Sequence, residues 1–235
     1  MNLIILFVSL VGFASSMVLP LDKSAQVLVV HGQLKGPKAE LILFTKASGK
    51  WVRGKRFEAV IGKNGMGFGQ GIEAQNIFSL ETKKQEGDGK SPAGVFTLGR
   101  VFGKAERLPF FSHYPYVQIL PSMEGVDDGE SKYYNQIVNT SQIQREWKSF
   151  ETIFRQDHLY DWFVEINHNS TNTPGEGSLI FLHVWRKKGE GTAGCTALEE
   201  KDLLYILKWL DKDKNPLFIL LPSEKLGLLK KSLPL

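Results

Sequence analysis

The chain has 235 residues, 42% of them hydrophobic and 23% charged, with a formal net charge of +4. That composition suits one globular domain with a sizeable core and excludes a disordered or fibrous chain. The basic excess would draw an anionic partner such as a cell-wall polymer, nucleic acid or lipid. It gathers into nothing longer than Lys83-Lys84, Arg186-Lys187-Lys188 and Lys230-Lys231, each read as solvated surface, so a nucleic-acid-binding arm is not expected.

Leu3 to Phe13 is an apolar run too short to span a bilayer, followed by Ala14-Ser15-Ser16-Met17. Ala14 and Ser16 fill the small-residue positions of a cleavage site, which predicts a signal peptide over 1–16 and a domain over 17–235. No later segment is apolar and long enough to cross a membrane, so no integral span is expected after removal of the leader.

Gln26 to Val30, Leu41 to Phe44 and Trp51 to Ile61 read as strands, the last two parted by the turn residues Ser48-Gly49-Lys50. Gly62 to Gly71 is glycine-rich, but it lacks the P-loop spacing and a following helix, and it reads as turns rather than a phosphate cradle. A second turn cluster, Gly87-Asp88-Gly89-Lys90-Ser91-Pro92-Ala93-Gly94, leads into a strand over Val95 to Leu98. Tyr116 to Leu120 reads as a strand, Asp127 to Asn135 as a polar aromatic loop, and Ser149 to His158 as a short helix. Trp162 to Ile166 and Ser178 to Val184 are strand-like. Thr196 and Glu199 have capping-box spacing, and Leu203, Ile206, Leu207 and Leu210 form a helical stripe, so a helix is predicted from Thr196. Leu217 to Leu221 then reads as a buried strand. The expected class is mainly β with a few helices (α+β).

Cys195 is the sole cysteine, flanked by the small residues of Thr192-Ala193-Gly194-Cys195-Thr196, and His183 stands twelve residues earlier. A thiol, an imidazole and a helix start are the parts of a cysteine nucleophile, and helix amides would favour its thiolate. The competing reading is a small buried hydrophobe. His31, His113, His158 and His168 lack metal-ligand spacing, so neither a metal nor a cofactor is expected. His168 and Asn169, at a strand end, read as ordinary hydrogen-bonding residues that could also line the site.

Three stretches carry a resemblance. They are Ser178-Leu179-Ile180-Phe181-Leu182-His183, then Thr192-Ala193-Gly194-Cys195-Thr196, and upstream Gly87-Asp88-Gly89-Lys90-Ser91-Pro92-Ala93-Gly94-Val95-Phe96. In that order they resemble the L,D-transpeptidase (YkuD-type) cell-wall enzymes, and Tyr133-Tyr134-Asn135 and Leu159-Tyr160-Asp161 resemble an exported branch of that family. The resemblance implies a β-sandwich or barrel-like catalytic domain without a cofactor. It implies Cys195 as the nucleophile and His183 as the base, with Gly194, Thr192 and Thr196 on the oxyanion and substrate side. The implied reaction is acyl transfer on peptidoglycan stem peptides through a cysteine acyl-enzyme, in the periplasm or envelope of a bacterium.

The chain departs from the family pattern at two places. Ala193 stands where a second histidine is usual and Ala197 where an arginine is usual, so Arg186 is the candidate to hold a substrate carboxylate. An L,D-carboxypeptidase of the same fold and a non-catalytic cell-wall-binding relic are the alternatives. A sortase-like transpeptidase is disfavoured by the helix expected directly after Cys195.

Overall fold

The computed structural model describes residues 21–72 and 76–235. The predicted leader therefore lies outside the described residues. Among the described residues thirteen strands follow in chain order: β1 (Gln26–Gly32), β2 (Lys38–Ala47), β3 (Lys50–Val60), β4 (Met66–Phe68), β5 (Ser91–Gly103), β6 (Tyr116–Gln118), β7 (Met123–Val126), β8 (Gln136–Asn139), β9 (Phe150–Thr152), β10 (Trp162–Ile166), β11 (Phe181–Val184), β12 (Thr196–Leu198) and β13 (Leu217–Pro222). One α-helix, α1 (Glu200–Trp209), lies between β12 and β13. A 3-10 helix over Ser223–Lys231 follows β13. No helix among the described residues is long and apolar enough to cross a membrane.

The main sheet runs β10-β11-β12-β3-β2-β1-β13-β5, and β10 also pairs with β5, so the path returns on itself as a barrel-like ring. Strand runs such as Val27 to Val30 and Ile219 to Leu221 are buried on both faces of the sheet, which explains why they read as continuous apolar stretches rather than alternations. The mainly β class, with few helices, agrees with the sequence reading.

Helix α1 turns Leu203, Ile206 and Leu207 into the same core, each burial worth about 1.5–3 kcal/mol. Gln26 holds its far end: the side-chain amide donates to the Trp209 carbonyl at 2.6 Å and accepts from the Asp211 N–H at 2.9 Å.

A second, three-stranded sheet, β8-β7-β9, lies beside the ring. It touches the ring where Leu179 packs over Gly125, so closely that a Cβ there would meet Leu179 Cδ1 at 2.7 Å. Leu179, Phe181 and Cys195 belong to one apolar cluster with Tyr160, Phe163 and Ile153.

Two expectations are corrected. Ser149 to His158 is not a helix: it holds β9 and runs into a 3-10 turn over His158–Tyr160, where the Asp157 side chain accepts from the Leu159 N–H. The helix expected from Thr196 begins only at Glu200, and Glu199 makes no side-chain cap bond. Thr196, Ala197 and Leu198 instead form β12, buried between β11 and β3. Burial of Thr196-Ala197-Leu198 with ladder pairing outweighed a capping signature worth about 1 kcal/mol.

Candidate active site

Strand pairing brings the two candidate catalytic residues together. β11 and β12 run parallel, with His183 opposite Ala197 and Leu182 opposite Thr196. The loop between them must return to the start of β12, and Cys195 is its last residue. Phe163 of β10 flanks His183 on the other side.

Cys195, His183, Thr192, Gly194 and Arg186 all line one cleft of about 670 Å³. Thr196 is not part of that lining; it is buried in β12 at 1% exposure.

The loop that ends at Cys195 is pinned from both sides. The Thr192 hydroxyl donates to the Cys195 carbonyl at 2.6 Å and accepts from the Gly194 N–H at 3.2 Å. The fully buried Ser91 hydroxyl shares its proton between the carbonyls of Gly194 at 2.6 Å and Cys195 at 3.1 Å, and accepts from the Gly62 N–H at 2.9 Å. The Gly87-to-Gly94 turn thus braces the residues around the thiol. Asp88 orders that turn by accepting from the N–H groups of Gln85 and Lys90, both at 2.8 Å.

The Cys195 sulfur sits 3.5 Å from the Leu179 carbonyl, to which its S–H donates, and accepts from the Phe181 N–H at 3.3 Å. The His183 ring holds Nδ1 against the Val184 carbonyl at 2.7 Å. Among the described residues no hydrogen bond joins the thiol to the imidazole.

Electrostatics keep both groups neutral. Burial, aided by the charge of Glu151, pushes the thiol up to about 12, against smaller pulls from the Phe181 N–H and Lys84. Burial holds the imidazole at about 4, although backbone groups of Val184 and Leu159 favour its charged form. The expected helix-mouth activation is absent because α1 starts five residues beyond Cys195. The thiol is therefore not acidic in this state.

Several cleft residues escaped the sequence reading. Lys84, one of a pair read as solvated surface, is 3% exposed at its side chain and paired with Asp88 at 2.6 Å. Tyr160 is buried, donates to Glu151 at 2.7 Å and sets its ring edge-on to His183 at 5.4 Å. Arg155 lies over the Tyr160 ring at 5.3 Å and grips Asp157 with two bonds of 2.8 and 2.7 Å. The Leu159-Tyr160-Asp161 stretch was the available signal for Tyr160; nothing in the pattern marked Lys84 or Arg155.

Arg186 is an exposed residue facing Glu190 at 3.3 Å. His168 serves structure instead, with Nε2 on the Glu176 carbonyl at 2.8 Å and Nδ1 accepting from the Gln70 N–H at 3.2 Å. Among the described residues no group of His, Cys, Asp and Glu is placed to hold a metal ion.

A closed β ring that presents one thiol and one imidazole to a shared cleft is the plan of a thiol–imidazole domain. The family model described as the L,D-transpeptidase catalytic domain (YkuD) matches residues 38–219, and the chain belongs to that family. The match spans the Gly87-to-Phe96 element, His183 and Cys195, and its function is of the L,D-transpeptidase type, directed at peptidoglycan. Among curated proteins the chain finds no match.

Proposed function

We propose that this chain is an exported cysteine acyltransferase acting on peptidoglycan stem peptides. The Cys195 sulfur attacks the carbonyl at the L-centre of the diamino acid while its proton passes to His183. The terminal D-residue leaves as an amine carrying that proton, and a thioester remains on Cys195. An acceptor amine then attacks the thioester, the C–S bond breaks, and the thiol regains its proton from the amine. Because thiol and imidazole rest neutral, proton transfer accompanies attack instead of preceding it.

One observation carries this reading: Cys195 and His183 line the same cleft within the family-matched span. Water in place of the amine would make the same site an L,D-carboxypeptidase. Intact-mass spectrometry after incubation with tetrapeptide-bearing muropeptides tests the reading. The expected result is an acyl adduct on the native protein and none on Cys195→Ser or His183→Ala, with the double variant no worse than either. A crosslinked product supports transfer and a shortened stem supports hydrolysis. Absence of any adduct on the native, folded protein would overturn the enzyme reading in favour of a binding relic. Export follows from the predicted leader, and N-terminal sequencing of protein recovered from the envelope should begin at Met17.

A further inference from the structure

We propose that Asn135 is a positioning residue for Cys195, acting through a backbone twist that it imposes on Leu179. The proposal rests on the reading of Cys195 as the nucleophile.

Leu179 has φ of 53°, in the left-handed region that crowds a bulky side chain. Such a conformation persists only where its surroundings over-determine it. Here the Leu179 N–H donates to Asn135 Oδ1 at 2.9 Å. The Asn135 amide is itself immobilised, with Nδ2 donating to the Asn169 carbonyl at 2.9 Å and the His168 carbonyl at 3.2 Å. Asn169, fully buried, ties that turn to the Thr173 and Gly177 carbonyls at 2.9 and 3.0 Å. The Leu179 side chain is pressed on Gly125.

This clamp ends at the sulfur. The Leu179 carbonyl accepts the Cys195 S–H, and the Phe181 N–H, two residues on, donates to the same atom. A Leu179 relaxed to negative φ would turn its peptide plane and remove the acceptor from the thiol. Asn135 thus reaches Cys195, 60 positions further along the chain, through two hydrogen bonds. It also gives a task to the Tyr133-Tyr134-Asn135 stretch that the catalytic pair alone leaves without one.

The test compares two variants that both remove the Leu179 side chain. Glycine adopts positive φ freely and alanine does not. The readout is the rate of Cys195 alkylation by iodoacetamide against pH, with thermal melting to confirm folding. Leu179→Ala should react about fivefold faster at neutral pH than Leu179→Gly, because only alanine swings the carbonyl away and frees the S–H. Asn135→Ala should likewise react about fivefold faster than the native protein. If glycine at 179 reacts as fast as alanine or faster, the side chain acts only as a cover and the proposal fails. A folded Asn135→Ala with the native pH–rate curve also overturns it. Should Asn135→Ala not fold, the two Leu179 variants decide alone, since both leave the Asn135 side chain and its bond to the backbone N–H of residue 179 in place. Alkylation needs no muropeptide, so failure of the acyl-transfer reading would leave this result distinct.

Discussion

Two guanidinium groups reach the cleft, and their partners differ. Arg155 is locked by a bidentate contact to Asp157, with Glu151 3.7 Å away. Arg186 is exposed, and among the described residues its ion-pair partner is Glu190, at 3.3 Å. An exposed pair of this kind contributes little to stability, so Arg186 can exchange Glu190 for a substrate carboxylate at small cost. Arg186→Ala should lower the second-order rate on a carboxylate-ended stem peptide about tenfold more than on its amide, and lysine should not fully restore it. Equal losses on the two peptides would make Arg186 a solvated surface charge. At this scale Cys195 and His183 were legible in the sequence, because a lone thiol with small flanks and a strand-ending histidine stand out locally. Lys84 and Arg155 were not, since each matters only through strands and turns far off in the chain that fold over it.

Between elements, a tight backbone approach lies where the turn after β3 meets the turn before β5. A Cβ at Gly62 would stand 2.4 Å from the Gly89 carbonyl oxygen and 2.7 Å from the Ser91 nitrogen, both backbone atoms that cannot rotate aside. Gly62→Ala should therefore cost about 1–3 kcal/mol in urea unfolding and should slow acylation as well, because Ser91 would be drawn off the Gly194 and Cys195 carbonyls. Native stability in that variant would show the two turns to be free to part. Long strands of the ring were legible from their apolar runs, as Trp162–Ile166 shows. The three-stranded sheet was not: its strands have three or four residues, too few for alternation to register. Thr196 to Leu198 misled for a different reason, as a local cap signature competed with a pairing partner supplied by β11.

For the molecule as a whole, two buried imidazoles set the acid limit. Burial holds both His168 and His183 near 4, below the 6.5 of a free imidazole. Between those values the unfolded chain takes up protons that the folded chain refuses, so the contribution of these two imidazoles to stability falls as pH drops through that window and is constant above it. Urea midpoints at about pH 7.5 and about pH 5 should show the loss, and His168→Asn should shrink the difference. Equal midpoints would mean that the imidazoles are not held neutral by the fold.

The muffled thiol also bears on how long the protein lasts among oxidants. Peroxides attack the ionised sulfur, and a thiol held up to about 12 offers on the order of one ionised copy in a hundred thousand at neutral pH. The single cysteine has no neighbour with which to form a rescuing disulfide inside the chain, and oxidation beyond the sulfenic stage is not reversed. A sulfur that stays protonated in the resting protein is slow to enter that irreversible path.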